Sequence, residues 1–296
     1  MHVYLKKIGA LNMNLEVVLD KLSKHQRNVQ SAIKLLREIS RLDKNRMENL
    51  PKLRTRLVKL EEFLINLDKN QDYVLNLKDW INQYKSVLKD TANQIQRKLG
   101  IELEEQMKNL GLSLSGQYPE LKAGFFTIEL DFDNQKATLW YGPKQERLSQ
   151  CPLTATAIAK QIEKAKKELG SKLNEQELLE KVRSAYYRVV EMKGVKKGEP
   201  VPIIEVLAEL AYLLQSQRFR QDPRRENYRS YSRADFSYDL FRVRSHQINS
   251  LFPSKLHLKT ATRAHTRRRS DFLWVPDDES GKGTTYSHLA FKEVEK

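Results

Sequence analysis

Between Leu53 and Leu99 the chain places a residue at alternating steps of four and three: Leu53, Leu57, Leu60, Leu64, Leu67, Gln71, Val74, Lys78, Ile81, Lys85, Leu88, Ala92, Ile95 and Leu99. This spacing draws one largely apolar stripe along a helix and is the signature of coiled-coil packing. A single helix from Pro51 to Leu110 would be about 90 Å long at the α-helical rise. It has to lay that stripe on the preceding helix or on another subunit. Leu15, Leu19, Leu22, Val29, Ile33, Leu36 and Ile39 supply a helix upstream at three- and four-residue spacing. Pro51 suits the first turn of the next helix. The polar stretch Asp68–Asp72 can divide the long helix in two and give a three-helix bundle instead.

Residues 1–112 are therefore expected to form an elongated antiparallel coiled-coil hairpin or bundle. Leu53, Leu57, Leu60, Leu64, Leu67, Val74, Ile81, Leu88 and Ile95 are its candidate partner-binding positions. They either hold a protein partner or a second copy in register, or fold on themselves. Lys78 and Lys85 are costly in a dry symmetric seam. They belong at its edge or against acidic residues, and Leu77, Trp80 and Tyr84 widen the stripe beside them.

Gly111–Pro119 breaks the helical pattern and is expected to mark a linker or a domain boundary. Phe126, Ile128, Leu130 and Phe132 then alternate with Thr127, Glu129 and Asp131, which predicts a strand with one apolar face. A turn at Asp133–Lys136 returns the chain through Ala137, Leu139 and Tyr141, with Trp140 on the opposite face. Three helices are expected next: Pro152 to about Leu169; one capped by Asn174 with Glu177 three residues on; and about Ile203 to Ser216. These elements make up an expected region 120–217.

The remaining region, 218–296, opens with the strongest functional signal. Arg218–Arg269 holds fourteen Lys/Arg against four Asp/Glu, so it carries +10 of the chain's formal +15. Twelve of the fourteen are arginines, and Phe219, Tyr228, Tyr231, Phe236, Tyr238, Phe241 and Phe252 stand among them. The guanidinium fork matches phosphate, and aromatic faces stack on bases. Arg218, Arg220, Arg224, Arg225, Arg229, Arg233, Arg267, Arg268 and Arg269 are candidate nucleic-acid contacts, with Tyr228 and Tyr231 for stacking. Lys255, Lys259 and Arg263 recur at four-residue spacing and would share one face of a helix. Phe236–Arg244 fits a strand or a short helix equally. Phe272–Val275 and Thr284–Phe291 predict a terminal β-hairpin. Helices flanked by hairpins suggest a winged-helix-like unit, which can be continuous with 120–217.

Other chemistry is poorly supported. Glu129, Asp131 and Asp133 can hold a divalent ion, but equally form the wet face of a hairpin. Asp277, Asp278 and Glu279 fall in an expected turn. Gly281-Lys282-Gly283-Thr284-Thr285 lacks the spacing of a phosphate-binding loop. The six histidines show no ligand spacing. The lone cysteine, Cys151, precludes an intrachain disulfide and a cysteine-built zinc site, and a helix start after it would lower its pKa. No cofactor or metal is expected. No run approaches the length of a membrane span, so a membrane partner is not expected, and a cytoplasmic setting fits the cysteine usage.

The sequence is thus expected to encode a mainly α protein with an α+β C-terminal part, acting as a non-enzymatic accessory or assembly subunit. A helical arm would make protein contacts and a basic face would bind DNA or RNA. The alternatives are a pure adaptor for an acidic protein partner, or a nuclease-like enzyme with dispersed carboxylates.

Overall fold

The computed structural model describes residues 2–65, 72–245 and 254–293. It is mostly helical, with a mixed α/β C-terminal region. The chain divides into two compact units, Met1–Gly100 and Ile101–Lys296. No helix among the described residues is long and apolar enough to cross a membrane.

The first unit is built on α1 (His2–Asp43), α2 (Arg46–Ile65) and the greater part of α3 (Asp72–Asn109). The turn at Lys44–Asn45 folds α2 back on α1. Asp43 fastens it, accepting from Arg46 Nε at 2.5 Å and Nη2 at 2.8 Å and from the Tyr84 hydroxyl at 2.6 Å. Arg46 holds the Asp43 carboxyl below its ordinary value against the opposing effect of burial, and burial together with Asp43 raises the Tyr84 phenol. Ala32 and Ile39 of α1, Leu50, Leu53, Leu57 and Leu60 of α2, and Ile81, Tyr84 and Leu88 of α3 form one buried cluster. Lys85 pairs with Glu61, and Arg56 with Glu38 at 2.6 Å.

Several expectations need correction here. Pro51 lies inside α2, which already begins at Arg46. The stripe on α3 keeps its expected apolar positions and widens through Leu77 and Tyr84, but Trp80, expected to widen it too, is exposed. Leu77, Tyr84 and Thr91 face inward between Val74, Ile81, Leu88 and Ile95, while Lys78 and Lys85 are exposed. This arrangement buries Tyr84 and leaves both ammonium groups wet, which removes the desolvation cost they would carry in a dry seam. In α1, Ile39 packs inward but Leu15, Leu19, Leu22 and Ile33 are exposed. The expected break at Asp68–Asp72 lies, except for Asp72, outside the described residues, as does Leu67.

The second unit contains two antiparallel sheets. The first is a meander, β1-β2-β3-β4-β5: Leu114–Gln117, Glu120–Ala123, Phe126–Asp131, Lys136–Tyr141 and Glu146–Pro152. The expected hairpin is its β3–β4 pair, in register from Phe126↔Tyr141 to Asp131↔Lys136. The expected linker instead contains β1, which returns into β2 at a cis Tyr118–Pro119 peptide. β1 is almost wholly exposed and β5 is largely polar, so neither carries an apolar alternation. Cys151 lies in β5 rather than at a helix start, and burial pushes its thiol up.

Helix α4 (Ala155–Glu168) packs on β4 and β5, with Thr154 accepting from the Ala157 amide. Helix α5 (Glu175–Lys193) starts under the Asn174 cap, which accepts from the Glu177 amide at 2.9 Å, and stops at Gly194 with φ +63°. Then come β6 (Val201–Pro202), α6 (Ile203–Leu213), α7 (Gln217–Gln221), a 3-10 turn at Arg225–Asn227, and α8 (Arg233–Ser245). Strands β7 (Ser254–Thr260), β8 (Leu273–Pro276) and β9 (Gly283–Glu293) complete the second sheet. Its order is β6-β9-β7, with β8 also paired to β9. The expected terminal hairpin is the β8–β9 pair.

The ambiguous segment at Phe236 is the helix α8. Ser232 and Asp235 cap it reciprocally: the Asp235 amide donates to Ser232 Oγ at 3.3 Å and the Ser232 amide to Asp235 Oδ2 at 2.8 Å. Ala234, Phe236, Ser237, Asp239, Leu240, Phe241 and Val243 are all buried, so the helix has little polar face to give it a 3.6-residue signature. Lys255 and Lys259, expected on a helix, lie on strand β7, where Leu256 is buried and His257 exposed between them. Arg263 falls beyond the strand.

Candidate nucleic-acid interface

The basic segment divides into exposed and internal arginines. Arg218 and Arg220 sit on α7, which Ser216 caps by accepting from the Phe219 amide. Arg224 and Arg225 enter the following 3-10 turn, and Arg229 leaves it; all five are exposed. Arg220 donates to the Leu213 carbonyl at 3.1 Å, and Arg224 pairs with Asp222 at 3.1 Å. Gln215 is buried and straps this loop to α6. Its amide donates to the Ala211 and Arg229 carbonyls and its oxygen accepts from the Arg229 amide. The loop backbone is thus held while the guanidinium groups stay in water.

Arg263, Arg267, Arg268 and Arg269 are exposed on the connection between β7 and β8, in and beside 3-10 turns at His265–Arg267 and Arg269–Asp271. The second of these turns touches α6. Among the described residues, Arg218, Arg225, Arg229, Arg263, Arg267, Arg268 and Arg269 make no side-chain ion pair. An exposed guanidinium without an acidic neighbour keeps its full charge available to a polyanion.

The internal arginines do other work. Arg233 is half-buried and donates to the Phe272 carbonyl, and burial pulls its pKa down. Arg242 donates to Asp239 Oδ1 at 3.1 Å, Glu175 Oε1 at 2.6 Å and the Leu173 carbonyl at 2.9 Å. Asp239, only 1% exposed, also accepts from the Ser171 amide and the Tyr231 hydroxyl, each at 2.8 Å. Burial still raises its pKa despite these donors. Arg244, by contrast, is exposed and pairs with Asp277 at 3.3 Å. Sequence periodicity carried no signal for this network, because its members meet across α5, α8 and the loops before each.

The two tyrosines differ. Tyr228 is 48% exposed, with its ring 5.6 Å from that of Phe219. Tyr231 is partly buried and spends its hydroxyl on Asp239. Lys255 and Lys259 share a face of β7, and Phe252 lies outside the described residues. Of the candidate partner positions, Leu53, Leu57, Leu60, Val74, Ile81 and Leu88 are buried in the first unit, with Leu64 and Ile95 partly buried.

The carboxylates on β3 have local partners. Glu129 accepts from Lys144 at 2.7 Å and from Trp140 Nε1 at 3.0 Å, and Asp131 accepts from Asn134 in the β3–β4 turn. Asp277 and Asp278 lie in the β8–β9 connection, bonded to Thr284 and Ser280. No group of three metal-ligating side chains is brought together among the described residues. His265 and His288 lie with ring centroids 5.3 Å apart.

The second unit also holds a semi-open cavity of about 990 Å³, for which the sequence gives no signal. Its walls come from β5, the ends of α4 and α6, and the loop Ser230–Ser232, with Lys164, Lys181, Arg220 and Arg229 around it. Scanned against protein-family models and compared with curated proteins and solved structures, the chain matches none.

Proposed function

We propose that the second unit is a winged-helix-like module that binds the backbone of DNA or RNA, and that the protein is a non-enzymatic assembly subunit. Support for the fold reading is the order α5–β6–α6–α8–β7–β9, interrupted by the short α7 and by β8, with sheet order β6-β9-β7 and β8 added against β9. Three helices interleaved with a three-stranded antiparallel sheet is the arrangement that name describes. The helix that would enter a groove, α8, is buried along most of its length. Contact therefore falls to the loops, and loop arginines bind phosphates without reading bases.

The observation that carries the functional reading is the set of exposed arginines free of ion pairs among the described residues: Arg218, Arg225 and Arg229 beyond α6, and Arg263, Arg267, Arg268 and Arg269 before β8. The first unit suits assembly by coiled-coil-like packing. Its α1 leaves Leu15, Val18, Leu19 and Leu22 at least half exposed at helical spacing. A cytoplasmic setting is part of the proposal.

The test is a salt titration of binding to matched single- and double-stranded DNA and RNA. A slope of log K on log salt near −0.9 per phosphate for duplex, or −0.7 for single strands, is expected. Replacing Arg267, Arg268 and Arg269 by Ala should flatten the duplex slope by about 2–3. Absence of salt-dependent binding at low ionic strength refutes the proposal and leaves the acidic-partner adaptor. Metal-dependent cleavage lost in Glu129→Gln or Asp131→Asn would favour the enzyme instead.

A further inference from the structure

The cavity in the second unit has an unusual division of labour among its charged groups. Two of its carboxylates are committed to main-chain amides. Glu146 accepts from the Ala234 amide at 2.8 Å, and Asp235 accepts from the Gly170 amide at 2.9 Å and the Ser232 amide at 2.8 Å. These bonds close the start of α8 and the end of α4, and they turn the anionic oxygens toward the protein. Glu168 faces Lys164 at 3.8 Å. Lys181 and Arg229 have no ion pair among the described residues.

The neutral lining is polar as well. Gln161, Gln217 and Ser230 line the cavity, and Ser149 stands in its β5 wall. Lys164 and Lys181 stand on α4 and α5, whereas Arg220 stands on α7 and Arg229 on the exposed basic loop that follows it. The cavity is thus continuous with that loop, and the exposed Tyr228 ring is one residue from Arg229.

At about 990 Å³ the space is of small-ligand size and too small for a duplex. We propose that it binds one unpaired nucleoside phosphate, either free or carried by a single strand lying on the arginine loop; the strand-borne form rests on the backbone-binding reading above. Cations take the phosphate, and the amide and hydroxyl lining takes the base edge. The chemistry suits a nucleotide better than an acidic peptide, whose side chains have no use for so many paired donors and acceptors.

The test measures binding of the full chain to four probes: free AMP, a labelled 5′-phosphorylated single-stranded oligonucleotide, the matching blunt duplex, and an oligoglutamate. Lys181→Glu and Ser149→Leu are compared with wild type, with Lys181→Gln as the milder variant and thermal melts as the folding control. Both cavity variants are expected to weaken AMP and single-strand binding about tenfold, the size of one charge-assisted contact, and to leave duplex binding unchanged. AMP binding locates a free ligand, and single-strand binding alone a strand-borne one; either supports the site. Unchanged single-strand and AMP affinity in Lys181→Glu and Ser149→Leu overturns the cavity while backbone binding by the arginines stands. Wild type that binds only oligoglutamate overturns both.

Discussion

Replacing Arg242 by leucine should expose how much the second unit depends on a single buried ion network. Asp239 is 1% exposed and has three donors: the Ser171 amide, the Tyr231 hydroxyl and Arg242. Arg242 is the cation paired with it, and it also binds Glu175 and the carbonyls of Ser171 and Leu173. Leucine fills much of the volume but leaves a buried carboxylate without that counter-charge. Breaking a buried pair from one side costs about 3–5 kcal/mol. Part of that is relieved by protonation, because burial already pushes Asp239 upward. For a unit of this size each kcal/mol lowers Tm by about 2–4 °C, so a fall of about 10 °C is expected at neutral pH. Tryptophan fluorescence suits the assay, since Trp274 is buried in β8 and contacts the Tyr141 ring at 5.6 Å. The double variant Arg242→Leu with Asp239→Leu should recover part of the loss, because no orphaned charge remains at Asp239. A single variant melting within 2 °C of wild type, by a threshold of about 1 kcal/mol, would refute the argument that this network, which joins α8 to the start of α5 through Arg242 and Glu175, stabilises the unit.

Two further outcomes concern each unit in turn. Leu60→Ala, at a position 0% exposed, should cost about 2–5 kcal/mol, whereas Leu19→Ala, 53% exposed on α1, should change monomer stability by less than about 0.5 kcal/mol; urea denaturation of the two variants checks the contrast. His288 is held below the ordinary imidazole value by burial first, then by His265 and Lys259, against the pull of Glu205. Its contribution is present above the unfolded pKa of about 6.5 and is lost as pH falls through the lower folded value. The Tm of wild type should therefore drop between pH 7.5 and 5.5 more than that of His288→Gln, and parallel curves would remove His288 from the explanation.

Local chemistry wrote several elements openly. The β3 and β4 alternation, the Asn174 cap and the β8–β9 hairpin follow from residues close together in the chain, because caps, turns and period-two faces are short-range patterns. Arginine density around Arg218–Arg269 was equally visible, and charge composition needs no fold to be counted. What escaped was set by distant partners. β1 and β5 are strands because β2 and β4 pair with their main chains, and their own side chains hardly alternate. The width of the α3 stripe turned on which of Trp80 and Tyr84 met the other helices. Tyr84 reached Asp43, and Trp80 stayed exposed.

Amino-acid order alone sets where most of the helices and two of the hairpins fall, and it puts most of the positive charge in one segment. Which arginines stay in water is settled by the folded chain. Arg242 and Arg267 look alike in composition, yet one neutralises the buried Asp239 carboxylate and also reaches Glu175 of α5, while the other stands exposed on a loop. Desolvation is a property of what the rest of the chain brings to a group, and a linear sequence does not specify that neighbourhood.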